Sequence, residues 1–174
     1  MLFKITDDSG FLALIDPDAY NGFVGSDWTW DALQDHFVRE AREQHLLAWS
    51  TGMEHVWRID VLFQPVELTG FREVNGSIVA SQGRLLLTNY ESLTMAAQFA
   101  DVTQPEAHER DQILSVLPGT YDCRIIQLGT SKNSTGGPRA NQIHVSWHGS
   151  AGECGGTAGL FRSRQASRGD KCQG

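Results

Sequence analysis

The chain predicts an α+β fold: a mostly antiparallel β-sheet of about seven to nine short strands, with one long amphipathic helix, about 26–44, packed on it. Three observations carry this reading. Short apolar or alternating runs recur along the 174 residues, bounded by clusters of Gly, Pro, Asn, Asp and Ser. One segment, after the second strand, keeps a three- and four-residue apolar spacing over several turns. No internal repeat is visible, and the helix is segregated from a run of strands rather than alternating with them.

Leu2–Thr6 and Phe11–Ile15 read as strands joined at the turn-forming Asp7-Asp8-Ser9-Gly10. Asp16-Pro17 resembles an N-cap followed by proline at the first helical position, opening a short helix towards Tyr20. The long helix follows. Trp30, Leu33, Phe37 and Ala41 form its apolar stripe, while Asp31, Asp35, Arg39, Arg42 and Glu43 occupy the other faces. Trp28 falls at the edge of the covered surface.

From His45 the period changes to two. Leu46–Ser50 is a strand, Thr51–Glu54 a turn and His55–Gln64 a longer strand with Trp57, Ile59, Val61 and Phe63 on its buried face. Pro65 marks its end or an edge position. Phe71–Val74 and Ser77–Ser81 flank Asn75-Gly76, a hairpin signal, and Arg84–Thr88 follows another turn. Residues 89–100 are read as strand from the alternation of Leu93, Met95, Ala97 and Phe99, although Thr88 and Glu91 have capping-box spacing and the composition favours helix. Asp101–Asp111 is a polar connection with room for one helical turn. Ile113–Leu117, a Pro118-Gly119 turn and Tyr121–Leu128 read as an antiparallel pair. These elements make a single domain, 1–128, to which Gln142–Trp147 can add a strand. Residues 149–174 are a Gly-rich basic tail with too few apolar side chains to offset the entropy of ordering, and coil is expected there.

Charge is sorted along the chain. Residues 1–122 carry 19 acidic and 7 basic residues, a balance of −12, whereas residues 123–174 carry 2 acidic and 7 basic, a balance of +5. The start of the chain lacks the pattern of a secretory signal, and the longest apolar run, Phe11–Ile15, is five residues. A soluble cytoplasmic protein with no membrane contact is expected. Three cysteines, Cys123, Cys154 and Cys172, do not make a disulfide framework, and Cys123 reads as a small buried hydrophobe.

Chemical motifs are sparse. His144 and His148 stand four apart, but the residues between them favour a strand, where that step separates side chains by roughly 13 Å, too far for one ion. His36, His45, His55 and His108 read as scattered surface histidines. Asp7-Asp8 and Asp16-x-Asp18 could hold a divalent cation, yet turns and N-caps recruit Asp for local reasons. There is no G-x-S-x-G, H-E-x-x-H or Walker A pattern, and Thr135–Pro138 and Gly152–Gly159 lack the strand–loop–helix setting of a phosphate cradle. No cofactor is called for, and no catalytic or metal-binding residue is assigned. Arg162, Arg164, Arg168 and Lys171 in the tail would give nucleic acid only a weak, salt-sensitive contact.

Ile113–Leu117, Pro118-Gly119, Tyr121 and Cys123–Ile126 form a pattern of apolar strand, Pro-Gly, x-Tyr and strand that resembles small bacterial immunity and nuclease-inhibitor domains. The resemblance covers 14 residues and carries over no functional residue.

Together these features point to a non-catalytic binding protein of the immunity or inhibitor kind, neutralising a basic protein partner such as a toxin or nuclease. A field of one sign speeds association with an oppositely charged partner. The expected surface is Asp27, Asp31, Asp35 and Glu43, with Trp28 as a possible anchor. The alternatives are a small hydrolase assembled from scattered residues (His55, Asp60, His108 and Cys123 the first to test) and a structural or oligomerisation domain offering an edge strand.

Overall fold

The computed structural model describes residues 1–64, 66–129 and 141–150. Pro65, Thr135–Pro138 and the tail from 151 onward, with Cys154 and Cys172, lie outside the described residues. In chain order the elements are β1 (Leu2–Asp7), β2 (Phe11–Ile15), α1 (Trp30–Arg42), β3 (Leu46–Ser50), β4 (His55–Leu62), β5 (Arg72–Ala80) and β6 (Arg84–Asn89). They continue with α2 (Tyr90–Gln98), a 3-10 helix (Ala107–Gln112), β7 (Ile113–Ser115), β8 (Gly119–Gln127) and β9 (Gln142–Ser150). The fold is α+β, as the sequence predicts, but the strands form two sheets.

The first sheet has the order β1-β4-β9-β8-β5 and the second β3-β2-β6-β7. Every pairing among the described residues is antiparallel except β4 with β9. The sheets enclose one core, to which the first contributes Ile5, Trp57, Ile59, Ile125, Val145 and Trp147 and the second Leu12, Leu14, Trp49, Leu85 and Leu87. The intervening residues of the second sheet, Ala13, Ile15, Leu46 and Leu86, face outward and are covered by Leu93 of α2 and Phe37 of α1. The layers are therefore sheet, sheet and helices. Strands buried on both faces explain why β2 and β6 read as continuous apolar runs rather than alternating ones.

Short connections carry the chain between sheets. β1 and β2 are joined at Asp7–Gly10 but lie in different sheets, as do β3 and β4, and β7 and β8. The expected β7–β8 hairpin at Pro118-Gly119 is thus a crossing: β7 pairs with β6, and β8 with β5 and β9. Asn75-Gly76 is likewise not a turn. Both lie within the continuous β5, where Gly76 opposes Cys123 and a side chain would run into Leu47 Cδ1. The glycine leaves room for the Leu47 side chain of β3 rather than making a reversal.

Residues 90–98 are helix, not strand. Asn89 caps α2 by accepting the Ser92 N–H at 2.9 Å, and Ser92, Leu93, Ala96 and Ala97 are buried at helical spacing. The apparent alternation fails because Met95 and Phe99 are exposed. Phe63 also departs from expectation: it lies beyond β4, largely exposed, with its ring stacked on Trp147 at 5.9 Å. Asp16 opens a single turn rather than a helix, its carboxylate accepting from Asp18 N–H and Ser81 N–H. The island at 142–147 becomes the centre of the first sheet, and the strand includes Gly149 and Ser150. No helix among the described residues is long and apolar enough to cross a membrane.

Candidate protein-binding face

Helix α1, Trp30–Arg42, is shorter at both ends than the expected span of about 26–44. Thr29 is the N-cap, its hydroxyl accepting the Ala32 N–H at 3.3 Å, with Asp31 in the first turn and Arg39 and Arg42 in the last. That charge order suits the helix dipole. The helix is also rotated from the expected stripe. Leu33, His36 and Glu40 are its buried residues, whereas Trp30 is 55% exposed and Ala41 is exposed. A polar network under the helix turns it.

His36, read from sequence as a surface histidine, is only 2% exposed. Its Nδ1 accepts from Arg39 Nη2 at 2.7 Å, so in the neutral ring Nε2 carries the proton and donates to the Tyr20 hydroxyl at 3.3 Å. Burial holds the imidazole below its ordinary pKa of 6.5; Glu40 opposes the shift and Arg39 adds to it. Burial, reinforced by Glu40, pushes the Tyr20 phenol well above its usual range. Sequence periodicity missed Tyr20, His36 and Glu40 because a polar residue on a buried stripe looks like the stripe's edge. Their i,i+4 spacing at 36 and 40 was the available signal.

The rotation leaves a second stripe outward. Trp30, Gln34 and Val38 succeed one another at helical spacing, and with Phe11, Phe37, Ala48, Tyr90 and Leu93 they border an apolar groove of about 290 Å³. Tyr90 forms part of its wall, 6.3 Å from the Phe11 ring and edge-on to Phe37 at 6.5 Å. A second hollow of about 360 Å³ shares Phe37, Val38 and Ala48 and extends along β3 to Gly76 and Ser77 of β5.

The hollow borders β3, which among the described residues is an edge strand of its sheet. Asp16 N–H bonds to His45 O and Thr51 N–H to Gly10 O, which fixes the β2–β3 ladder so that the peptide groups of Leu46, Ala48 and Ser50 face away from β2. Ser50 O accepts Arg72 Nη1 at 2.6 Å, and just before the strand Gln44 O accepts Val79 N–H at 2.9 Å. Between these two closures, Leu46 and Ala48 present their backbone groups beside the apolar hollow.

Of the residues expected to bind a partner, Asp31 and Asp35 are exposed and follow Trp30 and Gln34 around the helix, flanking the outward stripe on its solvent side. Asp27 is exposed just before the cap and Trp28 is half-buried. Glu43 is separate, at the C-cap and 3.5 Å from His45 Nδ1.

The scattered set proposed for catalysis is not brought together. Cys123 is in the core between the sheets, 3% exposed, and burial with help from Asp122 pushes its thiol up to about 12. Asp60 alternates with the core residues Ile59 and Val61, on the outer face of its sheet, 3.9 Å from His144 Nδ1. His55 stands edge-on to Trp57, and His108 is on the 3-10 helix beside β6.

No protein-family model and no curated protein matches the sequence. Two solved structures are similar in architecture. The product of crocagin biosynthetic gene J superposes with a TM-score of 0.56 at 14% identity, covering 84% of this chain and 94% of its own. ComJ from Bacillus subtilis, described as an inhibitor of the DNA-degrading activity of NucA, gives a TM-score of 0.47 at 6% identity, covering 84% and 93%. At these identities the likeness to the crocagin protein concerns the fold alone.

Proposed function

We propose that this chain is a non-catalytic binding protein that receives a basic protein partner on the outer stripe of α1 and the adjoining edge of β3. The observation that carries the reading is the outward Trp30–Gln34–Val38 stripe, flanked by Asp31 and Asp35 and continuous with an open strand edge. An apolar partner side chain gains by leaving water in the groove, on the order of 25 cal/mol per Å² of apolar surface removed. Trp is a residue type enriched at binding hot spots. The acids add steering towards a positive surface without needing burial. The free peptide groups of Leu46 and Ala48 can accept an extended partner segment by strand addition. A nuclease, or a toxin that acts on nucleic acid, has the required charge because its substrate is a polyanion.

The test is affinity capture from the host lysate at low and high salt, using the wild type beside a Trp30→Ala/Asp31→Lys/Asp35→Lys variant. Support is one basic protein retained stoichiometrically by the wild type, weakened by salt and lost from the variant. Equal capture by both proteins, or no capture by either, would overturn the reading.

A further inference from the structure

We propose that Glu40, Glu43 and His45 form a site for one divalent metal ion, and that their donor set fits zinc. Each offers one ligand atom, and all three atoms lie within 4.8 Å of one another. His45 Nδ1 is 3.2 Å from Glu40 Oε2 and 3.5 Å from Glu43 Oε2. Tetrahedral zinc with bonds of about 2.0–2.2 Å places its donors roughly 3.3–3.5 Å apart. The two spacings to His45 are close to that geometry, and the two carboxylates lie within 4.8 Å of each other.

The local structure explains how the three residues meet. α1 ends in a Schellman closure: Gln44 N–H bonds to Ala41 O at 3.2 Å and His45 N–H to Glu40 O at 2.9 Å. Gln44 takes the left-handed conformation, φ 61°, that this closure requires and that glycine usually supplies. The turn folds His45 back against Glu40, one helical turn into α1. The site is then at the negative end of the helix dipole, where a cation is favoured.

Glu40 divides its carboxylate as a metal ligand would. Oε1 faces Arg39 Nη2 at 3.5 Å, while Oε2 faces His45. Oriented outer partners of this kind position ligating carboxylates. Arg39 approaches the oxygen that would not bind the ion. Two carboxylates also converge on a single imidazole nitrogen, which has at most one proton to give. A bound cation satisfies both at once. Glu40 is 3% exposed, but the Glu43 side chain is 54% and the His45 side chain 25% exposed, leaving an entry path and a position for water. A nitrogen donor argues against calcium or magnesium, which favour all-oxygen sets. The site adjoins the proposed binding face: His45 directly precedes Leu46 of the β3 edge, and Glu43 lies five residues beyond Val38, roughly 7.5 Å along the helix.

Zinc chloride titrated into the metal-stripped full chain by calorimetry tests this, alongside Glu43→Gln and His45→Asn. Glu43 is exposed, so its amide variant keeps the fold; thermal melts of all three proteins check this. The expected result is saturable one-to-one binding in the wild type, weakened at least about tenfold in each variant. Cobalt in place of zinc should give visible absorption bands that change or vanish in His45→Asn. Absence of saturable binding, or binding unchanged in both variants, would overturn the proposal.

Discussion

Thr51 donates its hydroxyl to Asp7 Oδ2 across 2.6 Å, joining two of the corners at which the chain crosses between the sheets, β1–β2 and β3–β4. The same carboxylate oxygen accepts from Trp57 Nε1 at 3.3 Å, and Oδ1 accepts the N–H groups of Ser9, Gly10 and Phe11 at 3.2, 2.7 and 3.0 Å. Thr51 O in turn accepts Gln127 Nε2 at 3.0 Å, which ties the corners to β8. Asp7 and Thr51 are both fully buried. A buried charge is tolerated here because every donor around it is aimed at it.

Asp7→Ala should therefore lower stability by at least about 3 kcal/mol, since several buried donors lose a charged acceptor together. Thr51→Val should cost about 1–3 kcal/mol, and the double variant should cost less than the sum because the two share one bond. Urea unfolding of the three variants measures both points. Additive losses would show that the corners are independent.

Cys123 should resist alkylation. Its thiol is buried and raised to about 12, so the thiolate is scarce at pH 8. Iodoacetamide at pH 8 should leave the Cys123 peptide unlabelled in the native protein and label it fully in denaturant, as read by peptide mass spectrometry. Rapid native labelling would restore a nucleophilic role.

Arg84 clamps Asp18 with two bonds, from Nε at 2.7 Å and Nη2 at 2.6 Å, and holds its carboxyl below the ordinary 3.8. A depressed folded pKa contributes stability that is present above the unfolded value and lost as pH falls through the folded one. Solvent screening limits the pair to no more than about 1 kcal/mol. Asp18→Asn should thus melt slightly below the wild type at pH 7, and the gap should close as the pH falls below 3.8. A gap that stays constant down to pH 2.5 would assign the effect to shape rather than charge.

Much of the strand content was legible because apolar runs and turn residues are local signals. β2 and β3 match their predicted bounds, and β1, β4, β6 and β8 differ at their ends. What was not legible depends on distant contacts. Asn75-Gly76 has turn chemistry, but pairing along all of β5 overrides it. Pro118-Gly119 reverses the chain between sheets rather than within one, a distinction that local sequence does not encode. The orientation of α1 was misread because Tyr20, 16 residues before His36, supplies the partner that draws a histidine inward. With His36 and Glu40 inside, Trp30 is left outside, and the proposed face exists because of that exchange.

Hydrogen exchange on the complex reads out directly whether α1 and the β3 edge receive the partner. With the captured basic protein bound, amides of α1 from Trp30 to Arg42 and those of Leu46 and Ala48 should exchange more slowly, while the β1 edge of the other sheet stays unchanged. Protection confined to β1, or to the outer face of the first sheet, would contradict that placement.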